Sequence, residues 1–231
     1  LDFPEVMIFE GETGTGKTTL AYIIAALLND PDPIVARDGT KSPNLESPQV
    51  INIFSEKFSG DVHFFDASSM NKEDVLGLER IVSSAPMFDK NKILIIDEAQ
   101  ELSKASKGVT LRLLEKKRKN VHIILSTMDI NSFNKAVRDR GQLYKFKPVK
   151  SEEVAKYLFD VLKQVGKDEE VPEEFFEVLF TIADNSGGSV RNALQTFERC
   201  IEGEFYTTEE VEKEFGLISN EKLSNLIVEL L

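Results

Sequence analysis

Four short apolar runs punctuate the first 150 residues: Val6–Phe9, Val62–Phe65, Ile93–Ile96 and Val121–Leu125. Each is bounded by polar residues and rich in Val, Ile, Leu or Phe, the pattern of strands buried on both faces. Between them the apolar positions recur at helical spacing, over Thr18–Leu28, Lys72–Ala85 and Lys107–Lys116. Such alternation predicts a parallel sheet with right-handed helical crossovers. A fifth strand is expected at Gln142–Lys147, ended by Pro148. The stretch Asn29–Pro48 is rich in Asp, Pro, Ser and Asn and reads as a surface loop insertion. After Pro148 the pattern is helical only. Ser151 and Glu153 are expected to cap an amphipathic helix carrying Val154, Tyr157, Leu158, Val161 and Leu162. Pro172–Asp184 and Ser189–Ile201 repeat that pattern on either side of Asn185-Ser-Gly-Gly188, and Thr207/Thr208 open a short helix over Glu209–Phe215. The expected fold class is α/β, with a parallel sheet in residues 1–150 and a small all-helical domain in residues 151–216. Residues 217–231 would begin a further helical region.

The charge follows the same division. Of 28 Lys+Arg and 40 Asp+Glu, residues 151–231 carry the whole net charge of −12, and residues 1–150 are balanced. A split of this kind suggests two units with different partners. Cys200 is the sole cysteine, which excludes an intrachain disulfide and any multi-cysteine zinc site. One cysteine also suits a reducing, cytoplasmic setting. No apolar run approaches the roughly 18 residues of a membrane span, so no membrane partner is expected. His63 and His122 lie within apolar strand runs, without metal-ligand spacing, and read as strand histidines.

The strongest chemical signal is Gly11-Glu-Thr-Gly-Thr-Gly16-Lys17-Thr18, a full match to G-x-x-x-x-G-K-[ST] placed between a strand and a helix. Glycines let the backbone turn its N–H groups inward, and the helix N-terminus adds partial positive charge for phosphate. Glu12, Thr13, Gly14, Thr15, Gly16, Lys17, Thr18 and Thr19 are the candidate nucleotide-binding residues. Lys17 would reach the β- and γ-phosphates, and the Thr18 hydroxyl would ligate Mg²⁺. The second signal is Ile93-Leu-Ile-Ile-Asp97-Glu98, a strand ending in two acids at the sheet edge where the phosphate loop lies. Asp97 would hold Mg²⁺ through water, and Glu98 would act as general base on an attacking water. The expected cofactors are ATP and Mg²⁺.

Several stretches taken in order resemble the AAA+ modules of clamp-loader ATPases, most nearly the gamma/tau subunit of bacterial DNA polymerase III. They are Asp66-Ala-Ser-Ser69, Ala85-Pro86, Asn91-Lys-Ile-Leu-Ile-Ile-Asp-Glu-Ala-Gln-Glu-Leu102 and Gly188-Ser-Val-Arg191-Asn-Ala-Leu194. The resemblance implies a P-loop ATPase domain followed by a helical lid, with residues 217–231 opening a collar. The chain would then be the ATPase-plus-lid portion of a longer protein. It also implies an arginine finger acting in trans at Arg140, with Arg138 as competitor, and a second sensor at Arg191 facing the γ-phosphate of its own ATP. The family's first sensor aligns with Met128, which cannot orient water, and Thr127 is expected to substitute. The bacterial gamma subunit carries four zinc-binding cysteines, and Arg37–Ser59 has none, so no zinc is expected.

The implied function is an ATP-hydrolysing motor subunit that opens a sliding clamp and places it on primed DNA. Its partners would be other clamp-loader subunits in a homo- or hetero-oligomeric, pentameric ring, the sliding clamp, and primer–template DNA. Glu115-Lys-Lys-Arg-Lys119 reads first as a solvated helix end, with contact to primer–template DNA phosphates or to the clamp as the alternative. Two other functions fit the same motifs. One is another AAA+ DNA-associated ATPase, such as a helicase loader or branch-migration motor. The other is a nucleotide-binding structural subunit with little hydrolysis.

Overall fold

The computed structural model describes residues 3–55, 60–115, 119–167 and 171–217. Contacts divide the chain into two compact units. The first runs to Phe146 without Glu12–Thr15, and the second comprises Glu12–Thr15 with the chain from Lys147 onward.

The first unit is built on a parallel five-stranded sheet. Its strands are β1 (Val6–Gly11), β4 (Val62–Asp66), β5 (Lys92–Asp97), β6 (Val121–Thr127) and β7 (Gln142–Phe146), in the order β4-β5-β6-β1-β7. All four pairings are parallel, so every strand ends on the same edge. The helices are α1 (Lys17–Asn29), α2 (Pro48–Phe54), α3 (Lys72–Ser83), α4 (Lys104–Glu115) and the single turn α5 (Lys135–Arg138). Alternation along the strands sorts the core into two layers. Ile8, Leu94, Ile96, Ile123 and Leu125 pack with Val75, Leu78, Val109 and Leu113. Met7, Phe9, Ile93, Ile95 and Ile124 pack with Ala21, Ile24 and Ala25 of α1. Ile8, Phe9, Ile93 to Ile96 and Ile124 are at 0% exposure, which is why these strands carry unbroken apolar runs. Each such side chain contributes about 1.5–3 kcal/mol relative to exposure.

Where the sequence predicts a plain loop, the structure is more ordered. Asn29 still belongs to α1, and β2 (Ile34–Val35) pairs antiparallel with β3 (Lys41–Ser42). The Asp30 carboxylate ties the excursion together, accepting from Asp32 N at 3.1 Å and Asn44 N at 2.6 Å. Then α2 starts at Pro48 and buries Val50 and Ile53. Two buried positions in seven residues are too few to register as a helical period, although Pro at the first turn is a start signal. The two histidines serve the strands: His122 Nδ1 lies 3.0 Å from Pro4 O, and burial followed by the Lys92 charge lowers the His63 pKa.

The second unit holds α6 (Ser151–Gln164), α7 (Phe175–Asn185), α8 (Val190–Glu202) and α9 (Thr208–Phe215). Val154, Leu158, Leu162, Val178, Ile182, Phe197 and Cys200 form its core. The expected Ser151 cap is corrected: Lys150 is the cap residue, with no side-chain cap bond, and Ser151 lies inside the helix. Glu152 and Glu153 in the first turn instead complement the helix dipole. Tyr157, expected on the buried face, is 46% exposed. Ser189 does cap α8, accepting from Asn192 N, and Thr207 with Glu210 forms a capping box on α9. Burial pushes the Cys200 thiol up to about 12. Among the described residues no helix is long and apolar enough to cross a membrane. The basic residues 116–118 and the expected collar over 218–231 lie outside the described residues.

Candidate nucleotide site

The loop after β1 turns as its glycines allow. Gly14 and Gly16 have φ of +81° and +94°, the left-handed region that glycine enters without a Cβ clash. At Gly11 a Cβ would stand 2.4 Å from Phe146 O, so β7 can pair there only with glycine. Thr15 Oγ1 donates to Glu12 O at 2.7 Å and closes the turn. Gly16 is the N-cap of α1, so no side-chain cap bond competes with an anion for the first N–H groups of the helix. Lys17, the first residue of α1, is 5% exposed and donates from Nζ to Gly11 O at 2.9 Å. Thr19, third in the helix, is exposed.

β5 delivers the acids. Thr18 Oγ1 donates to Asp97 Oδ2 at 2.6 Å, joining two residues far apart in sequence. Asp97 Oδ1 accepts the Glu98 N–H at 3.0 Å. Glu98 itself sits at φ +47°, a left-handed conformation that costs a non-glycine residue about 1–3 kcal/mol and is characteristic of functional sites. Its carboxylate Oε2 accepts from Gln100 Nε2, and Gln100 Oε1 accepts the Met128 N–H at 3.1 Å. The Thr18 hydroxyl and Asp97 carboxylate make an all-oxygen donor pair. That suits Mg²⁺, which binds through one or two protein oxygens and completes its shell with water and phosphate. Among the described residues no cluster of three or more His, Cys, Asp or Glu could hold a metal, and a phosphate-bound Mg²⁺ needs none.

The proposed substitute sensor fares differently. Thr127 is fully buried, and its hydroxyl donates to Asp129 O and accepts from Asp129 N, both at 3.1 Å. It closes the turn after β6. Strand alternation also puts it on the face of Ile123 and Leu125, opposite the face of Ile95 and Asp97. Thr127 is therefore a turn residue, and the Met128 side chain is 49% exposed. Ser126 was missed. It is fully buried, and its hydroxyl has no hydrogen-bond partner among the described residues. It shares the face of Ile124, and counting alternation along β6 would have singled it out. Gln100 was missed as well, since nothing in Ala99-Gln-Glu101 marks an amide as part of a site.

The arginines fall into two groups. Arg140 donates to Ala136 O and Glu115 Oε1, both at 2.8 Å, and Arg138 to Asn131 Oδ1 at 3.2 Å. Both lie on the surface around α4 and α5. In the second unit Arg191 is the second residue of α8 and is exposed. The Val190 N–H donates to Gly14 O at 3.0 Å, and a Cβ on Gly14 would stand 3.2 Å from the Arg191 Cβ. Within the second unit Arg191 therefore lies beside Gly14.

The family model described as DNA polymerase III, delta subunit, matches residues 2–150. The chain is 31% identical over 224 residues to DNA polymerase III subunit gamma/tau of Mycoplasma genitalium, covering 93% of this chain and 35% of that protein. It is 27% identical over 195 residues to DNA polymerase III subunit gamma of Buchnera aphidicola subsp. Schizaphis graminum, covering 84% of this chain and 51% of that one. It thus spans between a third and a half of these relatives. Among solved structures, the Thermotoga maritima RuvB Holliday junction branch migration motor aligns with a TM-score of 0.60 at 16% identity. That match covers 90% of this chain and 60% of the other, a likeness of fold alone.

Proposed function

The chain belongs to the DNA polymerase III clamp-loader family of AAA+ ATPases, and from that premise we propose that it is the ATP-hydrolysing motor part of a clamp-loader subunit. The observation that carries this reading is the 2.6 Å contact from Thr18 to Asp97, which joins the phosphate-loop helix to the acidic end of β5. Lys17 and the N–H groups at the start of α1 bind the phosphates. Thr18 and Asp97 would hold Mg²⁺, which would supply charge neutralisation to the phosphates. Glu98 takes a proton from the attacking water as its oxygen bonds to the γ-phosphorus and the bond to the ADP oxygen breaks. Arg191 contacts the γ-phosphate in cis. Arg140 of a neighbouring subunit supplies charge in trans, worth about 10³–10⁵ in rate for such fingers. Its contact with Glu115 is an exposed pair, and releasing such a pair costs only about 0–1 kcal/mol. The partners on this reading are fellow loader subunits, a sliding clamp and primer–template DNA.

A nucleotide-binding subunit with little turnover is the second reading, favoured by the apolar side chain of Met128. One experiment separates the two: ATP turnover by the full-length assembly, with and without clamp and primed DNA, for wild type and Glu98→Gln. The motor reading expects stimulation by clamp with DNA, and at least a 100-fold loss of turnover in Glu98→Gln. Unstimulated turnover contradicts the clamp-loader role, and turnover retained by Glu98→Gln contradicts the base.

A further inference from the structure

We propose that Gln100 is the positioning residue for Glu98, and that it anchors the carboxylate to the main chain of Met128. The inference rests on Glu98 being the base. Gln100 lies in the 3₁₀ turn Ala99–Glu101, closed by the Glu101 N–H donating to Glu98 O at 2.8 Å. A primary amide has donors at one end and an acceptor at the other. The Met128 N–H can only donate, so the amide oxygen must face it, at 3.1 Å. That fixes the amide orientation and turns the Nε2 donors toward Glu98 Oε2. The network permits no other orientation of the side chain. Lys107 on α4 also holds the turn, donating to Gln100 O at 2.9 Å, with its ammonium 5.5 Å from the Phe133 ring centre.

The consequence for chemistry is geometric. Glu98 follows the last strand residue in a left-handed conformation, and its side chain needs an external partner to stop it swinging. A carboxylate that must take a proton from a water in one position loses rate steeply when misplaced by about 1 Å. Gln100 supplies that partner and ties it to the end of β6, the neighbouring strand. It uses a backbone N–H that any residue but proline provides at 128. An apolar side chain at 128 is then compatible with an oriented base, which removes the objection that Met128 raises against hydrolysis.

The test is steady-state ATP turnover of the full-length assembly for Gln100→Met, Gln100→Glu, Glu98→Gln and the double variant Glu98→Gln/Gln100→Met. Methionine keeps the length and loses both hydrogen bonds. Glutamate keeps the acceptor for Met128 but sets a second carboxylate against Glu98. Both single variants at 100 are expected to lower kcat about 10- to 100-fold, with KM for ATP within about twofold and thermal melting unchanged. The double variant is expected to turn over no more slowly than Glu98→Gln alone, because Gln100 acts only through Glu98. If Gln100→Met keeps wild-type kcat while Glu98→Gln loses it, the positioning role is wrong and the base stands. A further loss in the double variant, or a KM change in place of a kcat change, also overturns it. Retained turnover in Glu98→Gln removes the base, and Gln100's role falls with it.

Discussion

Asp61 and Asp97 are carboxylates at opposite edges of the same sheet, one just before β4 and one at the end of β5, and their surroundings differ in kind. Asp61 is 1% exposed and saturated. Its Oδ2 accepts the N–H groups of Met87, Phe88 and Asp89 at 2.7, 2.6 and 3.0 Å, and Lys92 Nζ lies 3.4 Å from Oδ1. Burial alone would raise its pKa, but the three backbone donors and the Lys92 ammonium outweigh it and hold the carboxyl below the usual range. Asp97 takes one hydroxyl and one N–H, which leaves lone pairs for a further ligand. A carboxylate whose acceptor sites are filled by its own chain secures a turn. One at the strand C-termini whose sites are half filled, beside a phosphate loop, is equipped to bind something else.

The largest effect expected from breaking this contrast is on stability at Asp61. Asp61→Ala strips three N–H groups of their acceptor and leaves Lys92 without its counter-ion. Removing one partner of a buried pair costs about 3–5 kcal/mol. Lys92 keeps Ser84 Oγ at 2.6 Å and Ala85 O at 3.1 Å, so the lower end, about 3 kcal/mol, is expected in denaturant unfolding. ATP affinity of the material that remains folded should be unchanged. A smaller effect is the pH dependence. A carboxyl with a depressed pKa in the fold stabilises fully above its unfolded value of about 3.9, and that contribution is lost as pH falls through the folded value. Wild type should therefore lose stability below about pH 4 more steeply than Asp61→Asn, as read from unfolding midpoints across that range. Parallel slopes would mean that Asp61 is not the buried anchor described above.

The same contrast explains how far the sequence could be read. The five strands and the motif at Gly11–Thr18 are local patterns, and periodicity and spacing found them. The position of Asp97 and Glu98 at the end of β5 was legible because an apolar strand ending in acids is also local. Asp61 was not, because its partners arrive from a turn that lies 26 to 28 residues onward. Helix α2 escaped because two buried residues do not make a period. Strand parity along β6, which a motif does not display, places Thr127 on the face away from Asp97 and Ser126 on the same face as Asp97. Gln100 depends on a contact that chain folding alone creates, with Met128, whereas Arg191 entered through the resemblance carried by Gly188-Ser-Val-Arg191-Asn-Ala-Leu194.

The central claim is that the Thr18–Asp97 edge of the sheet is the Mg²⁺-ATP site. Its most direct test is the Mg²⁺ dependence of ATP turnover by the full-length assembly, wild type against Asp97→Asn. Asp97→Asn should raise the Mg²⁺ midpoint about 10- to 100-fold, while unfolding free energy stays within about 1 kcal/mol of wild type. An unchanged Mg²⁺ midpoint in a folded Asp97→Asn protein would contradict the account.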